Sequence, residues 1–401
     1  MKKELIIILI MLTLVPAVAS ADWPQARHDV GHTSVADSAL KPPLAVEWQK
    51  SAGGEVFSSP VIYNGTLYAG SGAGLKLLAL DPSTGEKKWD FPTLSSVEST
   101  PAAANGSVVF GSYDGYVYKL DAASGLLEWK FYTKSGILSS PLIYQDKVYV
   151  GTDDGSFYAL DFQSGNIVWS VPKPTQASPA ADGGLIYIGM LDGTFYAINA
   201  ATGNVSWTYE TNESFHSSPL IFNGTAYCTT RAGTLYAFDA RNGSVLWSCD
   251  LGYRSDSTPS VDPSTGTIYI GTYGGRLYAF GENGTLKWES AYYGPIYQSV
   301  TVSGDTLYCA SQNGTLFALD KAGNKLWSYE LGQSTFSSPT VDGGRLYIAT
   351  MGGEILAFAE TTATPTPVPT SSPPAATSTP FPDALICAAV LITAGLCRKS
   401  R

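Results

Sequence analysis

Three ionisable residues, Glu98, His216 and Asp256, occupy one place in a phrase that the chain repeats, each standing just before Ser-Ser/Thr-Pro. With small variations the same place is held by Phe57, Leu138, Gln176, Tyr297 and Phe336 in the other copies. Two carboxylates and an imidazole among aromatics can hold a cation or a small polar ligand, and an imidazole titrating near neutrality can act as a base. Glu98, Gln176, His216, Asp256 and Tyr297 are therefore the candidate ligand site. The competing reading is compositional, since any set of loop ends contains some polar residues. No nucleophile–base pair or metal-ligand cluster is evident beside them, so no catalytic, metal or cofactor ligand is assigned.

What positions these residues is a repeated unit, seen clearly in residues 151–169, GTDDGSFYALDFQSGNIVW. Two β-branched, aromatic and aliphatic runs meet at Asp154-Gly155, a dipeptide suited to a two-residue hairpin, as are Asp114-Gly115 and Asp192-Gly193. A second turn, residues 161–165, pairs an Asp that can bond nearby amides with a Gly free to take positive φ, and leads into the strand ending at Trp169. Each Ser/Thr-Pro opens a further short apolar run that often ends in Asn-Gly. Proline suits a strand start because its missing N–H need not join a ladder there.

Trp48, Trp89, Trp129, Trp169, Trp207, Trp247, Trp288 and Trp327 recur every 38–41 residues, in phase with Ser/Thr-Pro. Four strands in about 40 residues is the period of a propeller blade. A large aromatic at one place in every copy can fill the gap between successive sheets, so these tryptophans are read as packing. Seven copies are complete. The eighth, ending near Phe358, has no Trp strand of its own, and the strand at 44–48 has no repeat. Pairing 44–48 with 353–359 closes an eight-bladed, all-β ring and hides two sheet edges.

The composition agrees: 401 residues, 41 Gly, 24 Tyr, 14% charged and a net charge of −10. An acidic surface argues against nucleic acid as a partner. Residues 1–21 have the order of a secretory signal, with Lys2-Lys3, an apolar run and Ala19-Ser20-Ala21. After the propeller, 22–360, comes a stalk, 361–383, with seven Pro, ten Ser/Thr and no Gly. Residues 384–401 are an apolar stretch closed by Arg398-Lys399-Ser400-Arg401, in the order of a C-terminal membrane anchor. Eight Asn-x-Ser/Thr sites, at Asn64, Asn105, Asn204, Asn212, Asn223, Asn242, Asn283 and Asn313, are candidate N-glycan acceptors in an exported chain and also good turn sequences. Cys228, Cys249 and Cys309 are read as small buried hydrophobes, the first two being separated by an intervening strand and too far apart to bond.

The pattern Gly-x-x-x-Gly-x-x-Tyr-Ala-Leu-Asp-x-x-Ser/Thr-Gly-x-x-x-Trp of 151–169, with its counterpart at 189–207, resembles the repeat of the pyrroloquinoline quinone (PQQ) type β-propellers, and residues 22–48 resemble their N-terminal arm. The resemblance implies one of two functions. One branch oxidises alcohols or sugars with PQQ and calcium, and many alcohol-oxidising members carry adjacent cysteines that this chain lacks. The other binds no cofactor and serves as an extracytoplasmic interaction platform, such as the bacterial outer-membrane-assembly propeller lipoprotein. The expectation is a monomeric, membrane-tethered scaffold at the cell surface, with no cofactor, whose partner is an envelope protein or glycan. Quinoprotein dehydrogenase is the first alternative. Carbohydrate binding through Tyr292, Tyr293 and Tyr297 is the second.

Overall fold

The computed structural model describes residues 22–153, 155–362 and 398–399. The expected secretory signal, and all of the stalk and anchor beyond residue 362 save 398–399, lie outside the described residues. Within them the chain forms eight four-stranded antiparallel sheets, each wound outward in sequence order, as in Leu142–Tyr144, Lys147–Val150, Phe157–Asp161 and Ile167–Val171. Blade eight is made from both ends of the propeller. Leu44–Ser51 pairs antiparallel with Glu354–Glu360, placing Trp48 opposite Ala357. A two-residue strand, Arg398–Lys399, adds to the outer edge of blade five beside Val245–Asp250.

The two kinds of turn follow their residues. Asn64 and Gly65 both have positive φ, 48° and 64°, as do Asn105 and Gly106, so the Asn-Gly hairpins are two-residue turns of the mirror-image type. The hairpins at Asp114-Gly115 and Asp192-Gly193 are not, which corrects the expectation for them, while Asp154 lies outside the described residues. Ser112 N–H donates to Tyr116 O and Gly115 N–H to Ser112 O, and only Gly115 takes positive φ. This is a longer loop ending in a glycine bulge, and it lets Asp114 Oδ1 accept the Tyr116 N–H instead of adopting a strained backbone.

The core lies between blades. Among the described residues, seven of the eight repeat Trp indoles, all but Trp327, reach into the next blade and donate to the carbonyl of the residue after the turn Asp or its equivalent: Trp129 to Phe162 (3.0 Å), Trp169 to Ala200 (3.1 Å), Trp207 to Ala240 (3.0 Å). The turn glycine lies flat on the ring. A Cβ on Gly165 would sit 2.8 Å from Trp129, so no other residue fits there. Cys228, Cys249 and Cys309 are buried, and burial pushes the thiols of Cys228 and Cys309 up to about 12.

The Ser/Thr of each Ser/Thr-Pro has a role that its sequence did not disclose. Its hydroxyl accepts the backbone N–H of the equivalent residue in the preceding blade: Ser59 to Thr100, Thr100 to Ser140, Ser140 to Ser178, Ser178 to Ser218, Ser218 to Thr258, Ser299 to Ser338 and Ser338 to Ser59, all 2.9–3.2 Å. This belt circles the channel. The interval between Thr258 and Ser299 is interrupted, and there the Arg27 Nε donates to Ser299 Oγ at 3.0 Å. Ser140→Ala would leave the Thr100 N–H buried and unpaired, and is expected to cost about 1–3 kcal/mol in a urea-unfolding measurement.

Residues 22–43 are a plug. The middle residue of each innermost strand in blades one, two, four, five, six and seven donates its N–H to the arm: Ile62 to Trp23 O, Ala103 to Pro24 O, Ala181 to Val30 O, Ile221 to Gly31 O, Val261 to Thr33 O and Val302 to Ser34 O. Innermost strands have a free edge facing the channel, and the arm supplies the acceptors that the edge needs. It crosses the channel at the end away from the residues that precede Ser/Thr-Pro.

Candidate functional site

At the other end, the loops that precede the innermost strands converge as the repeat phase requires. Phe57 and Phe336 rings lie 5.8 Å apart, and Tyr297 meets Phe336 at 5.3 Å. The structure divides the candidate residues among three places. His216, Asp256 and Tyr297, from blades five, six and seven, share one cluster. Glu98, on blade two across the ring, belongs to another, where Ser96 Oγ donates to its carboxylate at 2.9 Å and Tyr113 OH donates to Asp153 at 2.8 Å. Burial first, then the neighbouring Asp153, holds the Glu98 carboxyl above its ordinary range despite the Ser96 bond. Gln176 lies half-buried on blade four. It makes no side-chain hydrogen bond among the described residues.

Three residues that the sequence did not single out complete the first cluster. Arg254 Nη2 pairs with Asp256 Oδ2 at 2.5 Å, and Tyr273 OH donates to the same oxygen at 3.0 Å. The Arg254 guanidinium lies 4.3 Å from the centre of the Tyr273 ring, which in turn packs 3.9 Å from Tyr297. Arg231 Nη1 donates to His216 Nε2 at 3.2 Å, which leaves the imidazole proton on Nδ1. Arg231 and Tyr273 occupy the second position of the bulged hairpin loop, where other blades carry Tyr113, Asp153, Leu191 and Gln312. The backbone of that position is fastened to the strand-entry loop, as Arg231 N–H to Ser214 O and Tyr273 N–H to Arg254 O. A sequence signal existed: this is a second phase at which the copies differ.

Electrostatics set the protonation states within the cluster. Burial lowers the pKa of His216, and Arg231 and Arg254 oppose its protonation, outweighing the opposite pull of Asp256. The imidazole is therefore neutral at neutral pH and already engaged as an acceptor, so the expectation of a base gives way to a positioning contact for Arg231. Arg231 and Arg254 face a single carboxylate, Asp256, within this cluster, while Glu98 and Asp153 keep the opposite side of the ring acidic. Arg254 Nε and Asp256 Oδ1 are buried without a protein hydrogen-bond partner among the described residues. Arg27 adds a third guanidinium within the channel, its pKa lowered to about 10 by burial.

These residues do not suit a calcium–quinone centre. Calcium takes six or more oxygen ligands. Here the Asp256 oxygen is bound by an arginine and a tyrosine, and among the described residues no three His, Cys, Asp or Glu side chains converge as metal ligands. The tyrosines considered for sugar binding do not act together either. Tyr292 is exposed, Tyr293 stacks on Phe317 at 4.3 Å and Tyr297 belongs to the mouth. All eight glycan-acceptor asparagines are exposed.

Solved structures share this architecture. BamB from Moraxella catarrhalis superposes with a TM-score of 0.70 at 19% identity, covering 81% of this chain and 100% of that one. A europium-containing methanol dehydrogenase gives 0.76 at 16% identity, covering 84% and 98%. The quinohemoprotein alcohol dehydrogenase from Comamonas testosteroni gives 0.71 at 16%, covering 86% and 82%. Identities this low speak for the fold alone. No curated protein sequence matches the chain. The sequence profile described as outer membrane protein assembly factor BamB matches at residues 76–179, 172–299 and 275–386. With most of its length covered by that profile, the chain belongs to the BamB-like family of PQQ-type repeat propellers.

Proposed function

We propose that this protein is an extracytoplasmic scaffold that binds a partner protein through the open mouth of its channel, with Arg231 and Arg254 receiving an acidic group. The observation that carries this reading is the pair of guanidiniums held by His216, Asp256 and Tyr273 on a rigid ring, in a family whose profile is described by an assembly factor. Loops fastened to a rigid scaffold are where recognition residues are placed at low ordering cost. Export through residues 1–21, tethering through 384–401 and glycans on the eight exposed asparagines complete the proposed setting at the cell surface.

A photo-crosslinking side chain at Tyr297 in the native cell tests the reading. A discrete cross-linked protein is expected, and Arg254→Glu should weaken its capture at least ten-fold, about 1.4 kcal/mol or more. Capture unaffected by Arg254→Glu and Arg231→Glu together would remove the mouth from the interface. The dehydrogenase alternative is checked by adding PQQ and calcium to purified protein: retained quinone absorbance with dye-linked alcohol oxidation would replace the scaffold reading.

A further inference from the structure

The belt of serine and threonine hydroxyls is broken between blades six and seven, and the break collects hydrogen-bond donors without acceptors. In the intact intervals the backbone N–H at the Ser/Thr position meets the hydroxyl of the next blade, as Thr100 meets Ser140 and Ser140 meets Ser178. By the same register the Thr258 N–H faces the Ser299 hydroxyl, but that oxygen accepts the Arg27 Nε instead, at 3.0 Å. The Thr258 N–H is left without an acceptor among the described residues. A hydroxyl two residues further on is a second orphan. Its counterparts in blades seven and eight donate across the junction to the carbonyl that precedes the next innermost strand, Thr301 to Pro339 and Thr340 to Pro60. Ser260 in blade six is wholly buried, and its Oγ has no partner among the described residues.

The third donor carries a charge. Arg27 comes from the arm and meets the belt at Ser299. No carboxylate among the described residues pairs with its guanidinium. The side chain is enclosed by arm and belt yet keeps part of its surface open, and that surface looks into the channel rather than to bulk solvent. A buried cation without a counter-ion is costly, which is why buried charges are ordinarily paired. Its pKa, lowered to about 10 by burial alone, reflects that cost. The same charge bears on His32, whereas Arg231 and Arg254 bear on His216 and Tyr297, so Arg27 stands apart from the mouth cluster.

We infer that the channel, at the junction of blades six and seven, binds a small inorganic oxyanion of the phosphate or sulfate type, held by the Arg27 guanidinium, the Thr258 N–H and the Ser260 hydroxyl. Charge on one donor and neutral N–H and O–H groups beside it are the makings of an oxyanion cradle. The guanidinium fork alone would satisfy a planar carboxylate. The backbone and hydroxyl donors from blade six suit a tetrahedral ion, whose oxygens point in separate directions. Bound there, the ion neutralises Arg27, completes the belt where Ser299 is diverted and fastens the arm to blade six. This site belongs to the plug and goes beyond the reading of the mouth as a partner surface.

The test titrates sodium phosphate, and separately sodium sulfate, into the full-length protein against sodium chloride of matched ionic strength, by calorimetry and by the urea-unfolding midpoint. Saturable binding of a single ion is expected, with the midpoint rising over the same concentrations. Arg27→Gln should weaken binding about ten-fold or more. Ser260→Ala removes a hydroxyl that makes no bond within the protein, so it should keep the fold and weaken binding about three-fold or more. Arg231→Glu together with Arg254→Glu should leave the binding unchanged, which separates this result from that of partner capture. The absence of a calorimetric response overturns the proposal, as does binding that is lost with the mouth arginines. So does a midpoint that rises without saturation and equally in Arg27→Gln, which is the general effect of an excluded salt.

Discussion

Replacing His32 by asparagine is expected to flatten the acid limb of the stability curve. His32 is buried in the plug at 2% exposure, with Nδ1 3.0 Å from Pro219 O, so it is neutral and donates that bond. Burial, reinforced by the nearby Arg27 cation, lowers its pKa from 6.5 to about 3. Above 6.5 the group is neutral in folded and unfolded chains alike and has no influence on pH dependence. Between 6.5 and about 3 the unfolded chain binds one more proton than the folded one, so stability falls as pH falls, by about 1.4 kcal/mol per pH unit. The full loss from this residue is on the order of 5 kcal/mol. His28 and Asp342 titrate with the opposite sense, their pKa values being raised by the carboxylates around His28 and by burial of Asp342. Both remain in the variant, so the difference between the two proteins isolates His32. Asparagine is chosen because residue 32 has a φ of 60°, which asparagine tolerates. Urea-unfolding free energies at pH 7, 5.5 and 4 check the slope. Parallel curves for the two proteins would mean that His32 protonates without cost.

Trp169→Ala should be the most damaging single change in the blade packing, at about 3–5 kcal/mol. The ring lies within 6 Å, centre to centre, of Tyr149 and Phe157, its Nε1 donates to Ala200 O, and Gly203 comes so near that a Cβ there would be 2.7 Å away. The hole cannot refill by local collapse, because the rigid turn of the next blade forms its far wall. Tyr149 OH still holds the same carbonyl, so the blades stay in register while the packing is lost. The urea midpoint measures the effect. A loss below about 1 kcal/mol would place the junction's strength in the backbone belt rather than in the indole.

The ring was legible because it rests on counting. The regular Trp and Ser/Thr-Pro phases set the number of blades, and the unmatched strand at 44–48 showed where the ring closes. The mouth was half legible: the phase that yields Glu98, His216 and Asp256 pointed to the correct loops, but His216 and Asp256 gained a companion set in Arg231, Arg254 and Tyr273 while Glu98 fell on the far side. Pairing across loops depends on side-chain reach from two different phases, and spacing along one phase carries no such information. The Asp-Gly hairpins show a smaller case, since the same dipeptide closes a two-residue turn or a bulged one depending on the register of its strands.

The sequence alone determined that the chain is a closed eight-bladed propeller of repeated, short, turn-linked strands, because a four-strand period with one aromatic per copy has no other way to bury its faces. Tertiary structure decided what the repeats surround. The arm, irregular in sequence, becomes a plug because six free strand edges need acceptors. The serine and threonine hydroxyls become a belt because the ring brings their neighbours within 3.2 Å. Trp327, buried like the others, is left without a turn carbonyl among the described residues because the two chain ends that build blade eight cannot also form a turn.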